Sequence, residues 1–191
     1  MITRVVAVQN LQKYIGQDLA KWAIKFGITT FTDTKQNKGW KGQTLERLAG
    51  LNTNNEQAPN GLGFELKSTA FHKRADIWVP KETMAITMIN PALLAEVPFF
   101  KSHCWEKLKS ILFCAVSWNG YHNPSSMLLN VQSFDFLEDS ELINEIKADY
   151  EFIQNKLISA GFKSLTGKDG KWIQARTKGP GHGSTSRAFY A

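Results

Sequence analysis

A chain of 191 residues has the length of one ordinary domain and can bury a continuous core without disulfide or metal staples, so a single unit over residues 1–191 is expected. Hydrophobic residues at 42% and charged residues at 21% exclude a disordered chain, and no apolar run approaches the roughly 20 residues that cross a bilayer. The formal charge of +6 is unevenly spread: from Phe162 onward Lys163, Lys168, Lys171, Arg176, Lys178 and Arg187 stand against the single acid Asp169, leaving +5 in the last 30 residues.

The opening MITRVVAVQN lacks the long apolar stretch and small-residue cleavage site of a signal peptide, which makes a cytoplasmic location the expectation. Over residues 10–26, Leu11, Ile15, Leu19, Trp22 and Phe26 recur at helical spacing, and Asn10 as cap with Gly27 as stop predicts one amphipathic helix. The polar TDTKQNKGWKG reads as a loop, and QTLERLAG as a short helix carrying Glu46 and stopped by Gly50. After the Asn-, Pro- and Gly-rich NTNNEQAPNG, the segment LGFELKST alternates, with Leu62, Phe64 and Leu66 on one face and Glu65 and Lys67 on the other. That pattern is a strand with one charged face.

Runs at residues 84–89, at ILFCAVSW and at MLLNVQSF predict further strands of the same sheet. A long helix over about 139–161 shows a stripe of Leu142, Ile143, Ile146, Tyr150, Ile153, Leu157 and Ile158, with Gly161 at its end. A short strand at 172–176 precedes the Gly- and Pro-rich loop GPGHGSTSR. The sum is an α/β chain with a mixed central sheet flanked by helices. Cys104 and Cys114 sit in apolar surroundings without partners at metal-ligand spacing and read as buried free thiols.

Concentrated positive charge beside glycine and small polar residues suits a polyanion backbone, because each neutralised phosphate releases condensed counterions. A solvated basic surface is the bland alternative. Directly after the charged strand, His72, Lys73 and Arg74 form a second basic cluster.

An acid, any residue and a lysine occurs four times: Asp33-Thr34-Lys35, Glu65-Leu66-Lys67, Glu145-Ile146-Lys147 and Asp169-Gly170-Lys171. Only the second lies on a strand, where the period of two sends carboxylate and ammonium to one side while Leu66 anchors the core. Phosphodiester hydrolysis needs a hard cation with oxygen ligands from one or two carboxylates, and a fixed lysine can hold the attacking water and stabilise developing charge. The competing reading is a surface salt bridge on an exposed strand face.

The blocks KGWKGQTLERLAG, NGLGFELKST, SHCWEKLKSILFCAV, GKWIQARTKG and SRAFYA resemble, in the same order, segments of the MutH mismatch-repair endonuclease and the MvaI/BcnI restriction enzymes, of the PD-(D/E)xK kind. The resemblance implies a restriction-endonuclease-like core that cuts duplex DNA with magnesium, leaving a 5′-phosphate and a 3′-hydroxyl. It implies that Glu46 reaches the metal site, that Glu65 and Lys67 are the catalytic pair, and that Lys109 is a basic or additional catalytic contact. The metal segment is position 60 with Glu65 and Leu66. His72, Lys73, Arg74, Arg176, Lys178, His182, Ser184, Thr185 and Arg187 are the candidate DNA contacts. The C-terminal GPGHGSTSRAFYA is closer to the restriction branch, so a monomeric type II restriction enzyme ranks first, a mismatch-repair nicking enzyme awakened by an ATPase partner second, and an inactive DNA-binding variant third.

The chain departs from the family at Pro59-Asn60, where an amide stands in place of the expected aspartate. Three accounts are open: another acid such as Glu56 serves, the aspartate was exchanged by design to block cleavage, or the protein binds without cutting. The second is favoured.

Overall fold

In a computed structural model of the chain, which describes residues 2–31, 37–51, 61–90, 93, 96–120, 123–177 and 188–191, helix α1 (Arg4–Gln12) opens at Thr3, whose side chain accepts the Val6 N–H. The single helix expected over 10–26 is two. After α1 the chain turns through Gly16 at φ 81°, whose N–H donates to the Leu128 carbonyl at 2.8 Å. Asp18 then caps α2 (Leu19–Lys25) by accepting the Ala20 N–H, and its same oxygen accepts the Ser126 N–H at 3.0 Å. Leu11 and Leu19 are both fully buried, so the apolar spacing marked inward positions correctly while long-range main-chain bonds broke the helix between them. Helix α3 (Trp40–Ala49) ends at Gly50 in the left-handed region, as its sequence predicts, but begins three residues before the expected start at Gln43.

The chain divides into two compact units, Met1–Met84 with Ser110–Phe134 and Ala85–Lys109 with Asp135–Ala191. The first holds strands β1 (Glu65–Arg74) and β2 (Ile77–Pro80); β3 (Thr87–Met88) belongs to the second. With β4 (Ser110–Ser117) and β5 (Leu128–Asp135) they form a four-stranded sheet in the order β2-β1-β4-β5. The sheet is mixed: β2 runs antiparallel to β1, whereas β4 runs parallel to it, pairing Glu65 with Ile111 and Leu66 with Leu112. Leu45 and Leu48 of α3 pack with Phe64, Leu66, Leu112 and Val116 in one buried cluster that also takes in Leu11 and Leu19. Helices therefore cover the Leu66 face of the sheet.

In the second unit β3 pairs antiparallel with β7 (Ala188–Tyr190), which pairs with β6 (Ala175–Thr177). The run at 84–89 thus joins this three-stranded sheet and not the one containing β1, correcting the sequence expectation: apolar periodicity identifies a strand but not its partner, and here the Ile86 and Ile89 N–H groups donate to Tyr190 and Ala188. Helix α4 (His103–Leu108) starts at Ser102, which accepts the Trp105 N–H, and α5 (Ser140–Ala160) starts at Asp139, which accepts the Leu142 N–H. Ile146, Tyr150, Ile153 and Leu157 are the buried stripe of α5; Ile158, assigned to that stripe from the sequence, is 54% exposed because Leu157 already occupies the inward position. Phe99, Trp105, Tyr150 and Tyr190 supply an aromatic core for this unit. Cys104 and Cys114 are buried free thiols, each pushed up to about 12 by that burial. No described helix is long and apolar enough to cross a membrane.

Candidate active site

Strand β1 is entered through a tight turn in which the Gly61 N–H donates to the Phe64 carbonyl at 3.0 Å; the Phe64 ring lies where a side chain at Gly61 would be, so only glycine fits. Two residues later the strand period sends Leu66 into the helix-covered core and turns Glu65 and Lys67 to the other side. The Lys67 ammonium lies 3.0 Å from Glu65 Oε1. The pair is not the exposed surface bridge of the alternative reading: Glu65 is 3% and Lys67 16% exposed. Burying a carboxylate costs several kcal/mol, and replacing a buried ion pair by packed apolar groups is often neutral or stabilising. Fold stability is therefore a poor reason for these two residues.

Glu46 sits on α3, which packs against β1; it is partly buried between Leu45 and Leu48, whose burial fixes the helix rotation. Lys109 ends α4 in the second unit and pairs with Glu106 at 2.8 Å. Asn60, Lys178, His182, Ser184, Thr185 and Arg187, with Glu56, lie outside the described residues. Arg176 is exposed on β6, its guanidinium donating to Gln174 at 2.8 Å.

The basic cluster after the pair has a definite form. Strand β1 outruns its last β4 partner at Phe71, so His72, Lys73 and Arg74 are paired only with β2, opposite Val79, Trp78 and Ile77. Ala75 and Asp76, at φ 47° and 63°, close this ribbon as a two-residue turn of the primed type. Lys73 and Arg74 are exposed, with Lys73 over the Trp78 ring at 5.7 Å, and His72 meets Trp118 edge-on. Two further lysines, Lys41 and Lys81, border a cleft with Trp40 and Trp118; residue-by-residue reading did not single them out, although Lys41 lies inside the KGWKGQTLE block.

Glu65 offers hard carboxylate oxygen from a rigid strand, and Glu46 a second carboxylate on the adjoining helix. Among the described residues no three His, Cys, Asp or Glu side chains gather closely enough to cage an ion. One or two carboxylates are the protein ligands that a hard divalent ion completing its shell with water or phosphate requires, whereas a caged structural metal needs more.

A mixed sheet with helices on one face, and a buried acid-lysine pair on its second-position strand, define a restriction-endonuclease-like α/β protein. The family described as DNA mismatch repair enzyme MutH matches residues 32–143, from before α3 into α5. This chain belongs to the MutH family. It is 29% identical over 170 residues to the DNA mismatch repair protein MutH of Salmonella paratyphi A, covering 85% of this chain and 70% of that one. The protein of the same name from Haemophilus influenzae strain 86-028NP is 24% identical over 174 residues, 90% and 76% of the two chains, and that of Histophilus somni strain 2336 is 22% identical over the same length and shares.

Proposed function

We propose that this protein is a magnesium-dependent endonuclease that nicks duplex DNA in the manner of a mismatch-repair enzyme, leaving a 5′-phosphate and a 3′-hydroxyl. The observation that carries the reading is the buried Glu65–Lys67 pair. Support for the mismatch-repair role, over the restriction role ranked first from the sequence, comes from the family match and from relatives that carry the mismatch-repair name. The restriction role keeps one specific observation, the C-terminal GPGHGSTSRAFYA.

A divalent ion held by Glu65 and Glu46 would neutralise phosphate charge and acidify the attacking water. The protein's own residues do the rest. Glu65 presents its carboxylate from a strand paired with β4 from Glu65 onward and anchored by Leu66 beside it, so the anionic oxygen is pre-positioned. Lys67 holds a positive charge where the pentacoordinate phosphorus gathers negative charge, and its N–H donors orient a water toward the phosphorus. Asn60 would contribute an amide oxygen where the family has an aspartate; the missing charge lowers metal affinity and turnover. Lys73, Arg74 and His72 on the projecting ribbon, and Arg176, Lys178, His182, Ser184, Thr185 and Arg187 further on, would meet phosphates and base edges.

Incubating purified protein and its Asn60→Asp variant with supercoiled plasmid and magnesium tests this. The expectation is open circles, produced faster by Asn60→Asp and faster still with an ATPase partner. Direct linear product at fixed sites from the isolated protein would favour the restriction role. Intact plasmid in every arm would leave a DNA-binding protein without catalysis.

A further inference from the structure

The face of β1 opposite Lys67 carries a second constellation. Ser68 and Ala70 of β1 and Val116 of β4 floor a cleft of about 340 Å³, walled by Trp40 and Lys41 of α3 on one side and by Lys81 and Trp118 on the other. Lys38 and Glu82 stand at its edge, so three lysines face one acid. Trp40 is 1% exposed, and its indole N–H is buried without an acceptor among the described residues. The same cleft receives the start of a 10-residue helix whose N-cap, Gly39, brings no capping side chain to its first-turn amides. Lys41 is partly buried, near the Ser117 carbonyl at 3.4 Å, and Lys81 lies 4.9 Å over the Trp118 ring. Burial depresses the Lys41 ammonium below its usual range, Glu82 offsets this, and Lys81 adds to it; an arriving anion would counter the shift by its opposite charge.

Ammonium groups and helix-terminal amides are donors, and a cleft in which three lysines face one carboxylate, Glu82, selects an anion with several acceptor oxygens. We propose that this cleft binds a backbone phosphate of the DNA, distinct from the scissile one and held chiefly by Lys41 and Lys81. Ala70 lies five residues along β1 from Glu65, roughly 17 Å at strand rise, so the phosphate bound here is separated from the cut by several nucleotides. The assignment of the polymer rests on the nuclease reading; the anion site itself does not.

Two titrations on the full chain test it. Inorganic phosphate should change the tryptophan emission saturably in the unaltered protein, and Lys41→Gln with Lys81→Gln should abolish the change at an unaltered melting temperature. Duplex affinity, measured in EDTA so that nothing is cut, should fall about tenfold in the double variant, with the salt slope reduced by roughly 1. The charge-matched pair Lys13→Gln and Lys21→Gln should change neither reading. A double variant indistinguishable from that control overturns the proposal. A phosphate response with no duplex binding at all overturns the DNA assignment and the nuclease reading together, while duplex binding without any phosphate response or slope change overturns the site alone.

Discussion

Three of the four acid-x-lysine triplets lie in described parts of the molecule, and they differ in everything but composition. On β1 the strand period sets Glu65 and Lys67 side by side, 3.0 Å apart and buried. On α5 the same spacing turns Glu145 and Lys147 about 200° apart, so Glu145 finds Lys171 while Lys147 finds Glu151 one turn on. In the turn before β6, Asp169 pairs with Lys156 and Gly170 takes φ 97°. Secondary structure decides whether the triplet is a site. The strand makes it a pair, the helix splits it between neighbours, and the turn converts its acid into a brace: Asp169 also accepts the Thr166 N–H.

The contrast can be broken first at β1. Lys67→Met leaves a buried carboxylate without its cation and should destabilise the protein by about 3–5 kcal/mol, whereas Lys67→Met with Glu65→Gln should recover most of that loss; urea midpoints of the two variants decide. At the turn, Asp169→Asn should cost about 1–3 kcal/mol by weakening the Lys156 and Thr166 bonds. Burial of Asp169 alone would raise its pKa, but the bonds from Lys156 and Thr166 prevail and hold it below the ordinary carboxylate value. A depressed folded value means that its stabilisation is complete above the unfolded pKa of about 3.9 and disappears as pH falls through the folded one, so the gap between Asp169→Asn and the unaltered protein should close in acid melts. Smaller again, Asp139→Ala removes the α5 cap and should cost about 1 kcal/mol by the same denaturation. Smallest of all, Lys171→Ala should leave the melting temperature unchanged, since the Glu145–Lys171 pair lies in solvent.

Local rules carried far within each element. The alternation of LGFELKST placed Glu65 and Lys67 on one side, and Gly50 and Gly161 marked helix ends. Beyond small errors of phase and boundary, such as Ile158 on α5 and the start of α3, what the sequence withheld was a long-range partner. That Asp18 would bond Ser126, that the 84–89 run would pair with residues a hundred positions later, and that the charged face of β1 would be buried all depend on which segments meet. The phosphate cleft is the same case: Lys41 and Lys81 are 40 residues apart, and only the packing of α3 across β1 gives them a common wall.

The most direct test of a catalytic role for the β1 pair separates chemistry from folding. In the Asn60→Asp background, plasmid nicking with magnesium should be compared between the protein and its Glu65→Gln, Lys67→Met double variant, at a temperature where urea melts show both fully folded. The account predicts loss of cleavage by at least about 10³-fold in the double variant with duplex binding in EDTA retained. Equal cleavage by the two folded proteins would contradict it.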